Sequence, residues 1–208
     1  MRKLPLIAGI AVLGAAWSGL AELFVPSFTA HMIMHMSVVA VAAPLLALAI
    51  TDTRFDPSSL LPFIFAPLPA SLWELVAVWG WHAPALHEFA RGSATGIMLE
   101  QASFLAVGLV LWISCLGQRG ISAAGVLGLL FTSMHMTLLG VLLALAPRPL
   151  YEHAHHGAGG LSPVDDQNLG GVVMLAVGGA VYLIGGLILM ARLLNAAPSV
   201  APQAAERR

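Results

Sequence analysis

The segment His31-Met32-Ile33-Met34-His35-Met36 places two imidazoles and three thioethers at the start of an apolar run long enough to cross a bilayer. Imidazole and thioether together suit copper, the thioethers favouring Cu(I), whereas hard cations call for oxygen ligands. On a helix, His31 and His35 lie one turn apart on one face, about 6 Å along the axis, with Met34 between them. Met134-His135-Met136 repeats the same chemistry on a second apolar run. At 1.5 Å per residue, His35 and His135 sit at similar depths, about 12 Å and 16 Å below one membrane surface. The expectation is a copper site closed between two helices by His31, His35 and His135, with Met34, Met134 or Met136 as a fourth ligand. The packing alternative for His135 is a hydrogen bond to a carbonyl or to Ser133.

These ligands must be positioned by membrane-spanning helices. With 59% hydrophobic and 9% charged residues, the 208-residue chain is not a soluble domain, where roughly a quarter of residues carry charge. The expected fold is an all-α integral membrane bundle of six transmembrane helices, each about 20 residues for a core of roughly 30 Å. The spans read as Leu4–Ala21, Ser27–Ile50, Leu60–Gly80, Gly96–Leu116, Ala123–Ala146 and Leu169–Leu194. Residues 1–195 then form one transmembrane domain and 196–208 a disordered Ala/Pro-rich cytoplasmic tail. The first run, preceded by Arg2 and Lys3, is read as an uncleaved span rather than a signal peptide.

Lys and Arg in the short loops set the orientation. With both termini cytoplasmic, Arg2, Lys3, Arg54, Arg119, Arg192, Arg207 and Arg208 lie inside and only Arg91 and Arg148 outside. Seven of the eight histidines then fall in the outer half or outer loops, so the site opens to the exterior. The lone Cys115 excludes a disulfide framework or a Cys-x-x-Cys motif, and the near-neutral charge shows no basic stripe for nucleic acid.

Two carboxylates within the spans, Glu74 and Glu100, are costly in lipid unless paired or protonated. A carboxylate that accepts the far N–H of a metal-bound imidazole fixes its tautomer, and Glu74, Glu100 and Asp166 are read in that role. For one of Asp165 and Asp166, capping of the sixth span is the default. His82 and His87 are ligands or interfacial residues beside Trp79 and Trp81, while His153, His155 and His156 form a loop suited to metal capture. Pro62, Pro67 and Pro69 predict a kink in span three. Gly171, Gly178 and Gly185 predict a bare stripe on span six for close helix packing or a partner.

In order and spacing, four pieces resemble the CtaG-type cytochrome c oxidase assembly factors: His31-x-x-x-His35, Trp81-His82-Ala83-Pro84, Pro149-Leu150-Tyr151, and Asp166-Gln167-Asn168-Leu169-Gly170-Gly171 followed by Met174, Gly178, Gly179 and Tyr182. The similarity runs from about Thr29 to Leu194. It departs after Met174, where Leu175-Ala176-Val177 stands in place of the family's Trp and Pro, and in lacking a seventh span. The resemblance implies copper handling on the outer face of a bacterial inner membrane, carried by His31, His35, His82, His135 and Asp166.

Three functions compete. The leading one is a non-enzymatic assembly factor that holds Cu(I) or Cu(II) and passes it to cytochrome c oxidase subunits or other copper chaperones, with homo-oligomerisation left open. The alternative is a membrane redox protein in which His35 and His135 are axial ligands of a b-type haem. A metal permease is disfavoured because no histidine or transmembrane carboxylate lies in the inner half.

Overall fold

The computed structural model describes residues 2–19, 28–117, 122–151 and 161–196, and these are helical with short connections and no strand. Seven helices are present among them: α1 (Lys3–Trp17), α2 (Phe28–Ile50), α3 (Pro67–Trp81), α4 (Pro84–Gly92), α5 (Ala94–Leu116), α6 (Ala123–Ala144) and α7 (Pro163–Ala196). Only α2, α5, α6 and α7 are long and apolar enough to cross a bilayer. The two other expected spans are 15-residue helices, α1 and α3, roughly 22 Å long at 1.5 Å per residue.

Proline explains the difference in α3. Pro67 and Pro69 occupy its first turn, where a missing N–H costs nothing, so they start the helix rather than kink it. The residues from Leu60 to Ala66 are turns. In α2, Pro44 has a different effect. It offers no N–H to the turn before it and its ring crowds the carbonyl four residues back. The helix accordingly widens to a π turn over Ser37–Ala42, where Ala43 N–H reaches back five residues to Val38 O.

α4 replaces what the sequence suggested was loop. It buries His87 and Ala90, and a Cβ on Gly96 would stand 2.4 Å from Phe89 O, so α4 presses directly onto the start of α5. The Ser93 hydroxyl caps α5 by accepting from Gly96 N at 2.9 Å.

The glycine stripe of α7 is used inside the molecule. Gly171 lies against the Ala144 backbone of α6, Gly178 against Met36 and Met136, and Gly185 against Trp112 and Leu129. Gly170 accommodates the Phe28 ring and Met32 of α2. Small residues allow this approach where lipid offers no hydrophobic drive for association.

The chain runs up and down, and the start of α2, the end of α3, α4, and the starts of α5 and α7 share one end of the bundle. Arg2 lies at the opposite end, its N–H donating to Ala49 O at 3.1 Å. The histidine loop with His153, His155 and His156 lies outside the described residues, as does the expected tail beyond Ala196, itself the last residue of α7.

Candidate metal centre

Asp166 fixes the start of α2. Its Oδ2 accepts from Phe28 N at 2.8 Å, and its Oδ1 accepts from Thr29 N at 3.1 Å and from Thr29 Oγ1 at 2.6 Å. First-turn amides have no partner within their own helix, so this carboxylate clamps α7 to α2 just before His31. The expectation set Asp166 beside a histidine. Both its oxygens instead serve α2, while Asp165 pairs with Ser162 at the start of α7, accepting from its Oγ at 2.6 Å.

From that start, α2 projects His31 and His35 into the bundle, both buried. His35 meets His82, which follows α3, with ring centroids 5.4 Å apart and edge to face. His82 Nδ1–H donates to Val78 O at 2.6 Å. That bond fixes the tautomer and leaves Nε2 as a lone pair with no hydrogen-bond partner among the described residues. Burial lowers the His82 pKa to about 4, partly opposed by the Val78 bond, so the ring is neutral at pH 7. Neither ring nitrogen of His35 has a hydrogen-bond partner there either. A buried polar group left unpaired costs about 1–3 kcal/mol, and unpaired nitrogens on two adjacent rings are what a soft or borderline metal ion would satisfy.

A second group lies one turn nearer the bundle end. His31, His87 and Glu100 offer ligand atoms that all lie within 4.8 Å of one another. Arg91 Nη1 donates to His31 Nδ1 at 3.3 Å, so the neutral ring carries its proton on Nε2, which faces Glu100 Oε1 at 3.5 Å. His31 can therefore take an ion at Nδ1 only as that Arg91 contact opens. Glu100 Oε2 accepts from Gln101 Nε2 at 3.3 Å.

Tyr151 closes the centre. Its hydroxyl donates to His82 O at 3.0 Å, and its ring stacks on Phe28 at 5.1 Å and lies 4.0 Å from His87. Burial raises its pKa above the ordinary tyrosine value, which keeps the hydroxyl a donor.

The structure thus brings together His31, His35, His82 and Glu100 of the residues read from the sequence. His135 stands apart. It is buried on α6 with Phe131 as its ring neighbour at 5.6 Å, and Met136 is the side chain that α6 directs toward α2, meeting Met36 at Gly178. Met134 is 60% exposed on the outside of the bundle. Met34 lines a cleft with Trp17, Met98 and Gln101. Glu74 bonds to Tyr182. Haem ligation between His35 and His135 gains no support, because Phe104 at 3.9 Å and His82 fill the space beside the His35 ring.

From the sequence, His87 is open between ligand and interfacial residue, Arg91 enters only the loop charge count, and Tyr151 only a family motif. The available signal was spacing: His87-x-x-x-Arg91 has the same one-turn separation as His31-x-x-x-His35 and lies between a proline at N1 and a serine cap.

Fold and centre together define a multi-pass helical membrane protein with a buried histidine cluster at one end. The chain belongs to the family described as cytochrome c oxidase caa3 assembly factor (Caa3_CtaG), whose family model matches residues 1–196. No curated protein and no solved structure matches the chain. The motifs that carried the resemblance meet at the histidine end: Tyr151 on the His82 carbonyl, Asp166 on the start of α2, and Gln167 Oε1 accepting from Leu150 N at 2.7 Å.

Proposed function

We propose that this assembly factor holds copper as cargo in its histidine cluster and hands it to a subunit of a caa3-type cytochrome c oxidase, without catalytic chemistry of its own. The observation that carries the reading is the His35–His82 pair, whose Nε2 atoms and His35 Nδ1 are buried without hydrogen-bond partners among the described residues. Two neutral imidazoles suffice for Cu(I), and His31, His87 and Glu100 one turn above form a second stop toward the bundle end. Thioethers assist transfer because they are neutral, soft and release no proton. In this reading Met34, which lines the cleft with Gln101, is such a transient ligand. The positive-inside bias supports a periplasmic position for this end in that reading.

The test is genetic and analytical. Cells carrying His35→Ala with His82→Ala should insert the chain at normal levels yet assemble oxidase with several-fold less copper. Oxidase with its full copper complement in that strain would count against delivery through this pair.

A further inference from the structure

Below the histidines, α3 and α7 place a carboxyl and a phenol together in the apolar core. Glu74 and Tyr182 are both fully buried. Tyr182 Oη lies within hydrogen-bond distance of Glu74 Oε1 and of Val39 O, the latter at 3.2 Å. Val39 belongs to the π turn of α2. A hydroxyl has one proton to give, yet two oxygens approach it. Both contacts are hydrogen bonds only if Glu74 carries a proton of its own, donating to Tyr182 Oη while Tyr182 donates to Val39 O.

The surroundings supply no countercharge. Among the described residues Glu74 makes no ion pair, and its Oε2 has no hydrogen-bond partner. The titratable groups facing it are Tyr182 from α7 and Cys115 from α5, while α2 presents the Val39 carbonyl and α6 carries only His135. Trp112 stacks on Tyr182 at 5.4 Å between ring centroids. A carboxylate without a cation in such a setting is strongly disfavoured, whereas the neutral acid needs no countercharge and has an acceptor for its proton in Tyr182 Oη.

Position links this acid to the histidines. Glu74, Val78 and His82 recur every four residues on one face of α3 and span about 12 Å along its axis, while His35 and Val39 stand one turn apart on α2, about 6 Å, so the Glu74 site lies one to two turns below the histidine pair. We propose that Glu74 is a membrane-embedded proton-binding site that exchanges its proton for the charge of a cation arriving on the His35–His82 pair. The exchange rests on the copper reading above. Its balance is simple: a monovalent cation enters, the Glu74 O–H bond breaks, the electron pair stays on the carboxylate, and the proton goes to water. The core gains no net charge.

Infrared difference spectroscopy on the purified full chain in detergent at neutral pH tests this, with Ag(I) alone as a redox-inert probe of a Cu(I) site. Wild type should show the carbonyl band of a protonated carboxylic acid that Glu74→Gln removes and Tyr182→Phe shifts. The second variant keeps the test open if the first fails to fold. Saturation with Ag(I) should bleach that band and release about one proton per bound ion in wild type but not in Glu74→Gln. A wild-type spectrum lacking the band, or one in which neither variant alters it, overturns the proton site. Bound Ag(I) with an unmoved band overturns the exchange while leaving the copper reading intact, and failure to bind Ag(I) sinks both the copper reading and the exchange.

Discussion

Replacing Asp166 by alanine is expected to lower stability by roughly 3 kcal/mol or more and to loosen the first turn of α2. The variant strands two buried amides, Phe28 N and Thr29 N, both of which bond to this carboxylate, while the Thr29 hydroxyl keeps the Asp166 backbone carbonyl at 3.0 Å as its acceptor. Each unsatisfied buried donor costs about 1–3 kcal/mol, and the helix start loses the negative charge that favours it. Because His31 follows two residues after Thr29, its position should shift too. Thermal unfolding in detergent reads the stability. Asp166→Asn, which keeps one acceptor oxygen, should recover part of the loss. An Asp166→Ala protein that melts with wild type would show that α2 is held by something other than this carboxylate.

The second large effect is expected at Gly171. A Cβ there would stand 2.4 Å from Ala144 N and 2.8 Å from Gly140 O, and both are backbone atoms that cannot rotate away. Gly171→Val therefore forces α6 and α7 apart, with a cost at or above the roughly 3 kcal/mol upper end of ordinary overpacking. Gly14→Ala is the matched control, since nothing lies within 4 Å of its Cβ position. That change should be neutral or stabilise by about 0.5–1 kcal/mol through helix propensity. Equal melting of Gly171→Val and wild type would mean the α6–α7 approach is looser than described.

How far the site was legible depended on whether its geometry is local. The His31/His35 pair could be read because one helical turn fixes it, and the glycine stripe because a seven-residue spacing keeps one face bare. Partners across helices could not be read the same way. Depth matching suggested His135 for His35, but depth says nothing about which way a side chain points around its helix, and α6 turns Met136 toward α2 instead. His82 became the partner because the end of α3 lies beside α2, which no spacing in the sequence encodes.

Of the six expected spans, four correspond to helices long and apolar enough to cross a bilayer, and the difference has a related reason. Hydropathy from Leu60 onward is continuous, but Pro67 and Pro69 set where a helix can begin. Asp166 shows the same limit at a single residue. As an acidic side chain in a helix's first turn, it was read as a cap for that helix or as support for a histidine, whereas its carboxylate caps a helix more than a hundred residues earlier. Family membership could be read ahead of mechanism because its motifs depend on order along the chain.

X-ray absorption at the copper edge, on purified chain loaded with Cu(I), tests the central claim most directly. The account predicts imidazole nitrogen in the coordination shell of wild type, and loss of most bound copper from His35→Ala/His82→Ala protein that still folds and stays in the membrane. Full copper occupancy in that double variant, or a shell made only of sulfur, would contradict it.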